Sequence, residues 1–131
     1  MPDQPELLNI VDETDEVIGV DTRENIHRLG LLHREIHIWF YTPTHHIIFQ
    51  HRAKTKKGHP DKLDATVGGH VALNMSYEET VFKEALEETG IHLIPDKLIF
   101  LSKIHSFHTE LATGMINYAF RSRFMYLFDQ F

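Results

Sequence analysis

The chain contains no cysteine. Disulfides, thiolate zinc sites and cysteine nucleophiles are thereby excluded. No apolar run approaches the roughly 20 residues that a membrane span needs, and Met1 to Glu6 is acidic and polar rather than a basic segment leading into an apolar stretch. A cytoplasmic location is expected. Positive charge is scarce: 13 Lys and Arg stand against 19 Asp and Glu, a formal net charge of −6. That balance argues against a surface for duplex nucleic acid, because phosphate-backbone affinity comes from many Lys and Arg contacts. Repeats, low-complexity tracts and interdomain linkers are absent too. What is present, 131 residues of which 42% are apolar and 24% charged, fits one globular domain whose partners are small ligands. Eleven histidines is a high count, and no three of them show a metal-finger spacing.

Along the chain, Leu8 to Val11 and Val17 to Val20 read as a hairpin around a polar turn. Thr22 to Leu29 reads as a short helix stopped by Gly30. Glu35, His37, Trp39 and Tyr41 alternate with Ile36, Ile38 and Phe40, and Pro43 to His46 turns the chain into Ile47 to His51 as a second hairpin. His51 to Asp64, with Arg52, Lys54, Lys56, Lys57 and Lys62, reads as a basic loop rather than a regular element. Ala65 to Val71 is a short strand interrupted by Gly68 and Gly69, whose permissive backbone allows a tight bend or the close approach of a ligand.

The helix that follows has the clearest signals in the chain. Ser76 and Glu79 form a capping box, and Gly90 sits where a left-handed C-cap belongs. Tyr77, Val81, Phe82, Ala85 and Leu86 are expected on its buried face, with Thr80, Lys83, Glu84, Glu87 and Glu88 pointing outward. Beyond it, Leu98 to Phe107 is apolar enough for a strand. Aromatics at even positions from Tyr118 to Phe128 give a second strand whose rings are expected in the core rather than stacked on a base. The order of elements suggests an α+β mixed β-sheet around a central helix.

Glu84, Glu87 and Glu88 stand at i, i+3 and i+4, so three like charges crowd one turn and each pair costs a few tenths of a kcal/mol. A solvated acidic face is one reading. A bound cation is the other, and hard oxygen ligands select magnesium, manganese or calcium, magnesium typically by one or two carboxylates plus substrate phosphates.

The segment Gly69 to Ile91 resembles the Nudix box. Gly69, Glu84, Glu87, Glu88, Gly90 and Ile91 fall on the family's intervals, while Met75 stands in the first Glu position, Lys83 in the Arg position and Ala85 at the aliphatic one. Met75 with Lys83 reads either as the joint loss of a loop–helix brace or as a local repacking around a hydrophobic Met75. Glu16 to Gly19, Leu31 to Glu35, Phe49 to Ala53 and Val67 to Val71 extend the resemblance to the branch that includes isopentenyl-diphosphate isomerase. The isomerases place a catalytic cysteine before the Gly-His pair. Here Gly68 stands there, which argues against isomerase chemistry.

The resemblance implies a Nudix fold over residues 32–131, with the box at 69–91 and residues 1–31 adding a hairpin and short helix to the same domain. It implies a Mg2+ site, or Mn2+ in its place, on Glu84, Glu87 and Glu88, which would also be the catalytic residues, with Glu84 as candidate base. Gly69 and His70 join the metal set, His70 and His33 by their match to metal-binding histidines of the isomerases. The isomerases' later Glu pair has no acidic counterpart near Met115 to Ala119. Arg52, Lys54 and Lys56 are expected to bind phosphates, since Arg offers bidentate contacts and Lys a point charge. The expected activity is Mg-dependent hydrolysis of a diphosphate bond in a small molecule, a nucleoside diphosphate derivative or similar, with a non-catalytic diphosphate- or nucleotide-binding domain as the alternative. Such folds usually carry a further strand and closing helix, so the C-terminus is expected to be shortened, leaving an apolar face that favours a homodimer.

Overall fold

A computed structural model of the chain describes residues 4–55 and 61–129. The first hairpin pairs β1 (Leu7–Val11) with β2 (Val17–Thr22), and α1 (Arg23–Leu29) follows directly. Thr22 caps that helix rather than joining it, its side chain accepting from the Asn25 amide, and Gly30 closes it at φ 70°. The central strand is β3 (Leu32–Tyr41). One of its edges is shared by β4 (Ile47–Ile48) and β7 (Val67–His70), both antiparallel to it. The other edge takes β9 (Ile116–Leu127) in parallel, and β8 (Leu98–Thr109) lies antiparallel outside β9. The α+β mixed sheet is therefore present, with α2 (Tyr77–Thr89) packed on one face of it.

Three expectations need correction. The second hairpin breaks at Phe49: Ile47–Ile48 joins the main sheet, whereas β5 (Gln50–His51) pairs with β6 (Leu63–Asp64) apart from it. The basic segment thus starts and ends in regular structure, a two-residue ladder that hydrophobic patterning could not reveal. On α2, Thr80 is fully buried and Leu86 is 40% exposed, the reverse of their expected sides. The Thr80 hydroxyl donates to the Ser76 carbonyl, which removes its desolvation penalty and lets a small β-branched residue face inward.

The period-two pattern does sort the sheet's faces. Even-numbered Ile36, Ile38, Phe40, Phe124 and Tyr126 join Val67, Val71, Val81 and Ala85 in the core beneath α2. Odd-numbered Glu35, His37 and Trp39 of β3 lie level with Arg121, Arg123 and Met125 of β9 on the opposite face. One end of that face is covered by α1, where Gly30 meets Ile116 so closely that an added Cβ would lie 2.9 Å from its Cγ2.

Asp15, at φ 64°, ties the first hairpin to the rest. Its carboxylate accepts from Arg34 Nε at 2.7 Å, Tyr77 Oη at 2.8 Å and Lys103 Nζ at 2.9 Å. Burial alone would raise its pKa, but Arg34, Lys103 and Tyr77 together hold it below the usual carboxylate range.

Candidate functional site

Helical spacing brings Glu84, Glu87 and Glu88 onto one turn, and the strand beside them decides what each can do. Glu84 does not point outward: its side chain is 17% exposed and lies over Gly69, where an added Cβ would sit 2.7 Å from the Glu84 Cδ. The glycine is needed for the protein's own carboxylate to approach the backbone. Glu87 is exposed, and Lys83 reaches both Glu84 at 3.5 Å and Glu87 at 3.3 Å. Lys83 thus neutralises the acidic turn itself, and Met75 packs against the core, which matches the repacking reading.

Glu84 and Glu88 form the electrostatic centre. Burial, then the Glu84 charge, pushes the Glu88 carboxyl up to about 7, against a hydrogen bond from the Gly68 backbone that works the other way. Burial raises the Glu84 carboxyl too, Lys83 opposing and Glu87 assisting. The Glu84 charge beside it makes the Glu88 carboxyl harder to ionise. Hard, crowded oxygens on one turn, with Lys83 as their one close countercharge among the described residues, fit a divalent cation of the magnesium type.

Gly68 and Gly69 present opposite sides of β7. A Cβ on Gly69 would meet Glu84, and one on Gly68 would meet His37 Cδ2 at 3.2 Å. Bare backbone therefore separates the box carboxylates from the open face of the sheet. Asp64 acts electrostatically on both Glu88 and His37, which places it at the junction. On the open face Arg121 Nε donates to Glu35 Oε1 at 2.6 Å, and Arg123 donates through Nε and Nη2 to the Ser102 hydroxyl at 3.0 and 2.8 Å. Burial, then Arg121, holds His37 below its ordinary pKa, so its ring is neutral at pH 7.

His70 faces away from the box, toward His27 of α1 and His33 of β3. Donor nitrogens of the three lie within 4.8 Å of one another. His33 is fully buried, and its Nδ1 meets the Leu31 carbonyl at 3.0 Å. A carbonyl only accepts, so Nδ1 carries the proton and Nε2 holds a free lone pair. That Nε2 is buried with no hydrogen-bond partner. Burial lowers all three imidazole pKa values, most for His70. Three imidazoles held below their ordinary pKa, two buried and one half-buried, with an orphaned nitrogen among them have the donor chemistry of a site for a zinc-like cation.

Of the expected phosphate binders, Arg52 is paired with Asp64 at 3.5 Å and so lies beside the glutamates. Lys54 is exposed in a turn, and Lys56 lies outside the described residues. Sequence reading missed Asp64, His37, Arg123 and His27. The odd-numbered positions of β3 carried a signal, polar residues alternating with buried Ile36 and Ile38, but the matching positions of β9 become neighbours only through a pairing more than 80 residues apart.

No helix among the described residues is long and apolar enough to cross a membrane. Residues 31–130 match the NUDIX domain family model. An uncharacterised Nudix hydrolase of Streptomyces coelicolor is 36% identical over 95 residues, covering 72% of this chain and 52% of that protein. One from Yersinia pestis is 39% identical over 90 residues, covering 69% and 50%. The chain spans about half the length of the curated relatives it matches. A crystal structure from Deinococcus radiodurans superposes with a TM-score of 0.71 at 24% identity, covering 96% of this chain and 74% of that one, which shows the shared fold. With a family match over most of its length and the box residues gathered against β7, the chain belongs to the Nudix domain family.

Proposed function

We propose that the protein hydrolyses a diphosphate bond in a small molecule in a divalent-metal-dependent reaction, with Mg2+ as the natural ion and Mn2+ able to replace it. The observation that carries this reading is the closure of Glu84 over the bare backbone of Gly69, with Glu87 and Glu88 on the same turn of α2. Glu84, Glu87 and Glu88 would hold the cation, which when bound supplies neutralising charge to the diphosphate as a phosphorus–oxygen bond breaks. The chain's own contributions can be derived from position. Gly69 lets the Glu84 carboxyl close on the strand. Glu88, near pKa 7, exchanges a proton readily at neutral pH, as a group in acid–base work must. Arg52, oriented by Asp64, offers a planar fork to phosphate oxygens at the same edge, with Lys54 two residues on as a further charge.

The test is release of phosphate or a monophosphate from a panel of nucleoside and isoprenoid diphosphates with Mg2+, comparing wild type with Glu84→Gln and Glu88→Gln. Loss of turnover by at least about a hundredfold is expected for each. Turnover surviving both substitutions removes these residues from the metal role, and binding without turnover in the wild type supports the non-catalytic reading, for which the Lys83 bridge to Glu84 and Glu87 is the motivating contact.

His70 belongs to a second metal centre in this reading, with His27 and His33. The orphaned His33 Nε2 favours it. Cobalt substitution should give a ligand-field absorption spectrum that His33→Ala abolishes and Glu88→Gln leaves intact.

A further inference from the structure

The main sheet ends on one side at β8, and among the described residues that strand pairs only with β9. Its outer edge therefore presents a row of backbone N–H and C=O groups along twelve residues. Edge strands are ordinarily guarded against pairing by proline, by charged side chains, by bulges or by a covering loop. β8 contains no proline and one formally charged residue, Lys103. That ammonium is turned onto its own molecule, 2.9 Å from Asp15 and above the Phe120 and Tyr77 rings. One irregularity falls between Phe100 and Ser102 and leaves Ser102 to Thr109 as a regular run. Ile99, Phe100, Leu101 and Phe107 are 48, 58, 45 and 67% exposed, so no described loop covers the strand.

An antiparallel edge is complementary to its own copy: a two-fold axis perpendicular to the sheet sets the outward groups of one strand against those of the other and keeps both faces continuous. Charge selects where along β8 that axis falls, because like charges directly opposite are destabilising. An axis at Lys103 sets two ammonium groups face to face, and one at Ile104 sets Lys103 against the partner's His105. At His105 the two imidazoles face each other. At Ser106, Lys103 meets the partner's Thr109, Ile104 the partner's His108 and His105 the partner's Phe107, with no like-charged pair. Moving on to Phe107 shortens the overlap and sets Ile104 against the partner's Glu110. The rings favour Ser106 as well. His105 lies flat on Phe120 and Tyr118, centroids 4.6 and 4.9 Å apart, and Phe107 meets the Tyr118 edge at 5.7 Å. The partner's Phe107, opposite His105, continues that row of rings across the axis, an aromatic cross-strand pair of the stabilising kind.

We propose that the outer edge of β8 is a homodimer interface, in which two copies of the chain pair antiparallel about a two-fold axis at Ser106 and join their sheets into one. Lys103 to Thr109 of each copy form the ladder, with about one backbone hydrogen bond per residue position. Phe107, the most exposed aromatic of the strand, is covered in both copies. The acidic turn of α2 lies over Gly69 of β7, with β3 and β9 between it and β8, so the dimer leaves that site open. The interface stands independently of the hydrolase reading.

The chain has no cysteine, so a single introduced thiol reports contact between copies without background. Residues directly opposed in an antiparallel pair bring their Cβ atoms to about 4.5–5.5 Å, close to disulfide range. Ser106→Cys, on the axis, should oxidise to a covalent dimer at least about tenfold faster than Glu13→Cys in the exposed hairpin turn, or than Ile104→Cys, which lies off the axis. Mixing Ile104→Cys with His108→Cys should restore fast cross-linking. Sedimentation equilibrium of the wild type should show monomer passing to dimer between micromolar and millimolar concentration. Outward amides of β8 should gain hydrogen-exchange protection over the same range, while those of β3 stay unchanged. Phe107→Lys, at a surface position, should raise the dimer Kd at least about tenfold with circular dichroism unchanged. If that variant does not fold, the wild-type measurements and Ser106→Cys still decide. A chain monomeric to millimolar concentration, or a dimer whose β8 amides stay unprotected, overturns the interface and leaves the edge to another occupant. Ser106→Cys linking no faster than Glu13→Cys overturns it too. No arm of the experiment holds metal or substrate, so the outcome is unaffected if the hydrolase reading fails.

Discussion

Glu88 titrates in the sense opposite to a salt-bridged carboxylate. Its folded pKa of about 7 lies above the ordinary glutamate value, so between those two pH values the folded chain binds more protons than the unfolded one, and stability falls as pH rises. The contribution is fully present below the ordinary glutamate range and lost as pH passes about 7. Denaturant unfolding of the metal-free protein should therefore give a lower midpoint at pH 8 than at pH 5.5, and Glu88→Gln, which cannot ionise, should reduce that difference. The same proton competes with the cation, so Mg2+ affinity should rise from pH 6 to pH 8, by up to about tenfold per unit below 7 for one proton released. Gly69→Ala tests the geometry from the strand side. Its Cβ would sit 2.7 Å from Glu84 Cδ, and backbone there cannot yield as the end of a side chain can. The Glu84 carboxyl should be driven off, weakening Mn2+ binding about tenfold by paramagnetic resonance, with a stability loss of roughly 1–3 kcal/mol. In the sequence the paired glycines signalled only that something approaches closely; that Glu84 and His37 approach from opposite sides required the strand's direction.

Among the elements, α2 was legible almost to the residue, because its signals are local. Ser76 accepts from the Glu79 amide at 3.0 Å, Glu79 accepts from the Ser76 amide at 3.1 Å, and Gly90 takes φ 75°. Ser76→Ala should cost about 1 kcal/mol, the usual loss for an N-cap oxygen, read as a lower thermal midpoint without loss of the wild-type circular dichroism. Strand β9 was legible for the same kind of reason, a period of two sustained over ten residues or more, and β8 as an apolar run. What could not be read were the features set by distant pairing. The parallel alignment of β3 with β9 puts Arg123 beside His37, and the fold of α1 back over β9 gathers His27 with His33 and His70. Neither spacing nor composition encodes those neighbours. The β5–β6 ladder was missed because two residues are too few to show any period, and Thr80 because its polarity is cancelled by a bond to its own helix.

Over the whole molecule, the two candidate metal centres sit on opposite sides of the thin β7 backbone, one of carboxylate oxygens and one of imidazole nitrogens, and linkage allows them to be separated without assaying a reaction. A cation that binds only the folded state stabilises it by RT ln(1 + [L]/Kd), about 2.7 kcal/mol at a hundred times Kd. For a chain of this length that is roughly 8–14 °C in thermal midpoint, at about 3–5 °C per kcal/mol. Magnesium prefers oxygen, and zinc and cobalt prefer imidazole. The shift produced by Mg2+ should therefore vanish in Glu84→Gln/Glu88→Gln and persist in His33→Ala, be larger at pH 8 than at pH 6, and be insensitive to Arg123→Gln. The shift produced by Co2+ should show the reverse dependence on the two site variants, because His33 Nε2 has no other partner to retain. A Mg2+ shift retained in the glutamate variant would place the hard-ion site elsewhere, and a Co2+ shift retained in His33→Ala would mean that the three imidazoles pack as a buried cluster without a ligand.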